Sequence, residues 1–208
     1  MRGLLPRHRT LLPRLVPPAS PRLPRYVDNP FPIELIRTTN AVKCLDISTS
    51  RSKLALVDSE SRVLVYDLKT KEVVFQEAGA QSVCFNDEIE DMLCFSTPGV
   101  VNIRTGSFPA HPHKLQGLVV GFKGSKIFSL EGAAVEAVDV PQSVSMYRYI
   151  EANNFGNACR VASLGVTESD WRHLGARAAE KMDLETARRA FMRVRDMAYV
   201  KTLLSLRY

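Results

Sequence analysis

Between residues 41 and 140 the apolar residues come in short runs, each closed by Ser, Asp, Asn, Gly or Pro. The runs are VKCLDI, KLALV, VLVYDL and EVVFQ; then SVCF, MLCF and VVNIR; then LVVGF, KIFSL and AAVEAVDV. β-branched and aromatic residues dominate them, and the breaks carry turn formers, so each run is expected to be a strand. No intervening stretch has helical length and period, which excludes a parallel sheet built with crossover helices.

The strand zone repeats. Leu45, Val83 and Val119 begin equivalent triplets of runs, 38 and 36 residues apart, and the third runs end at Asp67, Arg104 and Asp139. A period near 40 residues made of strands alone points to a WD40-type β-propeller with four strands to a blade. In VYDLKTKEVVF, Tyr66 and Asp67 fall where such a blade carries its Trp-Asp dipeptide, at the end of the third strand. The aromatic is expected to pack between blades and the aspartate to bond backbone in the turn, which makes the pair architectural.

From Pro141 onward the spacing changes. SVSMYRYIEANN, FGNACRVASLG, TESDWRHLGARAAEKM, LETARRAFMRVRD and MAYVKTLLSLRY carry apolar residues three and four apart, the helical period. Thr167 followed by Asp170 resembles a capping box in which Asp replaces Glu. Phe155-x-x-Ala158 recurs as Leu184-x-x-Ala187, 29 residues later, and Ala187-x-x-x-Phe191 copies part of the tetratricopeptide pattern. The expected fold is therefore β followed by α: an incomplete propeller of about three blades over 33–140, then TPR-like α-solenoid helices over 141–208. About three blades are too few to close a ring, so the chain is expected to be a piece of something longer.

Charge removes one class of partner. The formal net charge is +6, but Arg2, Arg7, Arg9, Arg14, Arg22 and Arg25 with no acid account for all of it. The remaining chain is neutral, and a nucleic-acid footprint needs a basic face. Residues 1–32 also hold eight of the twelve prolines and are expected to be a disordered tail outside the fold, whose removal leaves folding unchanged. Cys44, Cys84, Cys94 and Cys159 form no C-x-x-C pair, and the first three lie in apolar runs, so buried free thiols are expected. No apolar run approaches the length of a membrane-spanning helix.

Candidate chemistry is thin. His111-Pro112-His113 offers two imidazoles without a nearby carboxylate or thiolate, and a solvated loop is expected rather than a metal pair. Asp67, Asp87 and Asp91 fall at strand ends where aspartate bonds backbone, and nothing in the pattern fixes a base beside them. Gly121-x-x-Gly124 lies between strands and reads as a turn, not a phosphate loop. Trp171 is expected in the core between helices. Arg188, Arg189, Arg193 and Arg195 cluster on one expected helix, as a solvated face or as a surface for an acidic partner. No catalytic constellation is visible and no cofactor or metal is expected.

Several long segments resemble the WD40-plus-solenoid subunits of intraflagellar transport complex A: RSKLALVD, VYDLKTKEVVFQE, EDMLCFS, HKLQGLVVGFKGSKIF, VPQSVSMYRYIE, LGVTESDWRHL and LETARRAFMRV. The resemblance runs over roughly residues 28–206. It implies the last blades of a second propeller and the first helices of a long array, and it leaves the Arg/Pro tail without a counterpart. It also implies a non-catalytic scaffold of retrograde transport in the cilium, its basal body and the cytoplasm. The implied partners are other subunits of that complex and, through them, a dynein motor and membrane receptors delivered to cilia. A coatomer-like vesicle-coat subunit is the alternative, because coatomer shares this architecture.

Overall fold

Among the described residues the alternation of apolar and polar residues builds eleven strands, and the helical period builds five helices. A computed structural model describes residues 36–205; the expectations for residues 1–32 lie outside these. Residues 36–41 contain no helix or strand, and one compact unit begins at Val42.

The first sheet is β1 (Val42–Ile47), β2 (Lys53–Asp58), β3 (Arg62–Asp67) and β4 (Val73–Ala78), antiparallel in chain order. The second is β5 (Ser82–Phe85), β6 (Met92–Thr97), β7 (Val100–Thr105) and β8 (His111–Lys114), again in chain order. The third holds β9 (Leu118–Lys123), β10 (Lys126–Glu131) and β11 (Ala134–Asp139). These are the blades of an incomplete WD40-type propeller.

Burial along each strand follows its place in the stack. In the first blade Ala55, Val57, Val63 and Val65 face the second blade and pack on Val83, Phe85, Leu93 and Phe95. The opposite face of the second blade, through Met92, Cys94, Val101 and Ile103, packs on Val119, Phe122 and Ile127 of the third. The central strand β6 is therefore covered on both sides, and its sequence MLCFS does not alternate. The same core continues without a break through Val140, Met146 and Ile150 into the helices.

The period of the sequence reappears as the chain separation of the hydrogen bonds between blades. Phe85 N–H donates to Asp46 Oδ2 (2.7 Å, 39 residues away). Asn86 Nδ2 donates to the Gly124 carbonyl (2.9 Å, 38 residues), and Val119 N–H donates to Ser82 Oγ (2.7 Å, 37 residues). Equivalent positions of successive repeats thus touch, which is why a repeat of this length closes a core.

The helices are α1 (Ser143–Glu151), α2 (Phe155–Ala162), α3 (Glu168–Glu180), α4 (Leu184–Arg193) and α5 (Met197–Ser205). Three of their junctions share one device. Asn153, Met182 and Arg195 adopt left-handed φ values of 54°, 62° and 59°. The next residue in each case, Asn154, Asp183 or Asp196, donates its N–H back to the previous helix and caps the following one with its side chain. The repeated Phe155 and Leu184 motifs begin directly after two of these junctions. α1 pairs with α2 and α3 with α4, and α3 and α4 approach closely because Gly175 has no side chain: a Cβ there would lie 3.0 Å from Phe191. Among the described residues no helix is long and apolar enough to cross a membrane, which says nothing of a β-barrel.

Three local expectations are corrected. His111-Pro112-His113 is not a solvated loop but the outer strand β8, with His111 only 6% exposed. Proline is tolerated there because an edge strand needs one ladder, not two. Gly121 lies within β9 against Phe128, and only Gly124, at φ 56°, makes the turn. Of the four cysteines expected to be buried, only Cys94 is; Cys44 and Cys84, on strands at the sheet edges, and Cys159, on α2, are half-buried.

Candidate functional site

Asp67 closes β3. Its Oδ1 accepts from the backbone N–H of Lys69 (2.7 Å) and Thr70 (3.2 Å), and these bonds, Lys69 first, hold its carboxyl below the usual aspartate range. Asp87 Oδ1 accepts from Gly124 N–H at 3.0 Å, and Asp91 pairs with Lys53. Each acid is committed to a turn or a blade contact. Tyr66 is half-buried opposite Leu54, on the face of the first blade away from Val63 and Val65, so it lies outside the contact with the second blade.

The two imidazoles of β8 stand edge to face, with ring centroids 5.3 Å apart. Both nitrogens of His111 and Nε2 of His113 are buried and have no hydrogen-bond partner. Burial first, then His113 and Arg148, push His111 down to about 4, so it is neutral near pH 7. Among the described residues no group of three or more His, Cys, Asp or Glu side chains gathers as a metal site. Burial also pushes the Cys84 and Cys94 thiols up, which keeps them protonated.

The four clustered arginines separate into two pairs. Glu185, one turn ahead on α4, binds Arg188 at 2.9 Å and Arg189 at 3.1 Å. Arg193 ends α4, and Arg195 lies beyond it in the left-handed position of the junction with α5. The expectation that all four share one helix is thus corrected, since the helix stops at Arg193. Both Arg193 and Arg195 are exposed, and neither has a carboxylate partner among the described residues.

These two arginines edge a groove of about 540 Å³ between the α2–α3 loop and the end of α4. Gly165 and Val166 of the loop, Trp171 of α3, and Arg193, Val194 and Arg195 at the end of α4 line it. Trp171 is 7% exposed and belongs to the helical core. Its indole N–H makes no hydrogen bond among the described residues and is not one of their buried unpartnered polar atoms, so it is open to solvent. Glu168 also stands at the groove, drawn aside by Arg172 at 2.8 Å. The groove was not visible in the sequence, because its walls come from residues some 28 positions apart that only the helix junctions bring together. The two arginines were visible, but not which of the cluster would be left unpaired.

Residues 23–135 match the family model of the IFT122 second beta-propeller. Over 181 residues, 87% of the chain, the sequence is 51% identical to the intraflagellar transport protein 122 homologs of Danio rerio and of Homo sapiens. The chain spans 15% of the length of these curated relatives. Among solved structures it is similar to the WD40 repeats of RRP9, at 10% identity and a TM-score of 0.43, covering 51% of this chain and 37% of that one. It is also similar to the Cps50 (Swd1) beta-propeller domain of Myceliophteria thermophila, at 17% identity and a TM-score of 0.41, covering 50% and 36% of the two chains.

Proposed function

Because the chain belongs to the family of the IFT122 second beta-propeller, we propose that it serves as part of a non-catalytic scaffold subunit of intraflagellar transport complex A. The observation that carries this reading is the identity over 181 residues, a length that the sheets alone cannot supply and that therefore reaches into the helices of this chain. The division into a sheet part over 33–140 and a solenoid from 141 belongs to the same proposal. The architecture favours binding over chemistry: stacked blades and paired helices present broad rigid surfaces. The aspartates at the strand ends are held by turns and blade contacts rather than set beside a base.

In this reading the partners are other subunits of the complex, and through them a dynein motor and membrane receptors carried in retrograde transport. The place of action is the cilium, its basal body and the cytoplasm. Tyr66 and Asp67 shape the blade, and Arg188, Arg189, Arg193 and Arg195 are offered as a partner surface. Capture of the endogenous protein from ciliated cells, with an antibody against 167–195 and mass spectrometry of what accompanies it, tests the proposal. Recovery of complex A subunits is expected. Recovery of vesicle-coat subunits instead, or of no complex A subunit, would overturn it.

A further inference from the structure

The helices α3 and α4 carry several arginines whose partners are already on the molecule. Arg172 is held by Glu168, Arg177 by Glu180, and Arg188 and Arg189 by Glu185. Arg193 and Arg195 break this pattern, and both edge the groove that Trp171 lines. A guanidinium fork is built for carboxylate geometry, and two of them without partners leave a cationic rim, since the carboxylate that also lines the groove, Glu168, is paired with Arg172. Beside the rim the Trp171 indole, its N–H open to solvent, joins Val166 and Val194 in lining the groove.

We propose that this groove takes an acidic peptide segment of a partner protein, its carboxylates set against Arg193 and Arg195 and a backbone carbonyl accepting from the Trp171 indole. Charge complementarity selects an anionic occupant. The volume of about 540 Å³ in an open groove suits a short extended segment, not a lone ion. A nucleic acid is disfavoured because its phosphates need a continuous basic stripe, and the neighbouring arginines are already neutralised. The proposal rests on the scaffold reading only in taking the segment from a partner protein; affinity in solution and complex membership in cells are scored separately.

Trp171 is the single tryptophan of the chain, so its emission reads the groove directly. The full 208-residue chain is titrated with a short end-blocked peptide of alternating glutamate and leucine, and with the same peptide carrying lysine for glutamate. A saturable change with the glutamate peptide, weakened by salt and absent with the lysine peptide, is expected. Arg193→Glu with Arg195→Glu should weaken binding at least about tenfold, whereas Arg177→Glu with Lys181→Glu, the same charge change at exposed positions away from the groove, should stay within about twofold. Circular dichroism confirms that both variants fold, and Arg193→Gln with Arg195→Gln replaces the first pair if it does not. No saturable change, equal loss in the two double variants, or equal binding of single-stranded RNA would overturn the proposal. None of these results bears on the cellular capture, and a failed capture leaves the affinity of the groove standing.

Discussion

The phenol of Tyr147 donates to Asp170 Oδ1 at 2.7 Å, while Ser143 Oγ donates to Oδ2 of the same carboxylate at 2.7 Å. One acid at the start of α3 therefore holds the α1 helix of the preceding hairpin. The same Oδ2 accepts the Thr167 N–H at 3.0 Å and completes the capping box. The shorter side chain suits this double task, since aspartate keeps its carboxylate over the first helical turn, where Ser143 and Tyr147 can reach it. Helix start and helix packing are thus fixed by one residue, 7% exposed.

Asp170→Asn places an amide where donors converge. It is expected to cost about 2 kcal/mol in urea denaturation at neutral pH. Burial raises the Asp170 carboxyl, but the bonds from Ser143, Tyr147 and Thr167 outweigh it and leave the group below its usual value. A lowered carboxyl contributes stability that is present above the unfolded value, near 3.9, and is lost as pH falls through the folded one. The variant should therefore show a shallower loss of stability below about pH 4. An unchanged acid limb would show that the carboxylate does not couple the hairpins.

Trp171→Ala removes a side chain that is 93% buried by its 7% exposure and that joins α3 to the core shared with the blades. A loss of about 3 to 5 kcal/mol is expected, read as a shift of the chemical denaturation midpoint at constant slope. A loss below about 1 kcal/mol would mean the groove, not the core, is the main environment of the indole.

The strands and helices were legible because burial imposes a period on them. Leu45, Val83 and Val119 marked three blades before any contact was known, and the structure places β1, β5 and β9 at these runs. What escaped was governed by neighbours far along the chain. His111 and His113 look like a polar loop, yet β8 exists because β7 offers it an edge, pairing Ile103 with His111 and Val101 with His113. The arginine cluster could be counted but not sorted, because pairing depended on Glu185 lying one turn ahead and on Arg195 falling past the helix end. Local pattern reports an element; a site assembled across elements leaves no local pattern.

Glu90 clasps two blades. Its carboxylate accepts from Ser50 N–H at 2.8 Å, Ser50 Oγ at 2.6 Å and Ser52 Oγ at 2.8 Å, all in the β1–β2 turn of the first blade. Burial raises this group, but the serine bonds win and push it down to about 2. Glu90→Gln should cost about 1 kcal/mol at neutral pH, modest because the site is partly solvated. Its stability contribution is present above the unfolded value and lost as pH falls toward about 2, so the variant should be less acid-sensitive across that window. Hydrogen exchange should show faster opening of β1 and β2 than of β6 and β7 in the variant. Equal acceleration in all four strands would argue against a local clasp.

His111 gives an acid response on a different window. Burial, then His113 and Arg148, hold it down at about 4, so the folded protein refuses a proton that the unfolded chain accepts below about 6.5. The unfolded state binds more protons across that interval, and stability must fall as pH drops from about 6.5 toward 4. Neither imidazole nitrogen has a partner to lose, so His111→Phe replaces an unsatisfied polar ring with an apolar one of similar shape. The variant is expected to match or exceed the parent in stability at pH 7.5 and to lose less of it between about pH 6.5 and pH 4.5. Denaturation midpoints measured across that range decide the matter. A parallel pair of pH profiles would show that the imidazole is solvated in the folded state and that β8 does not bury it.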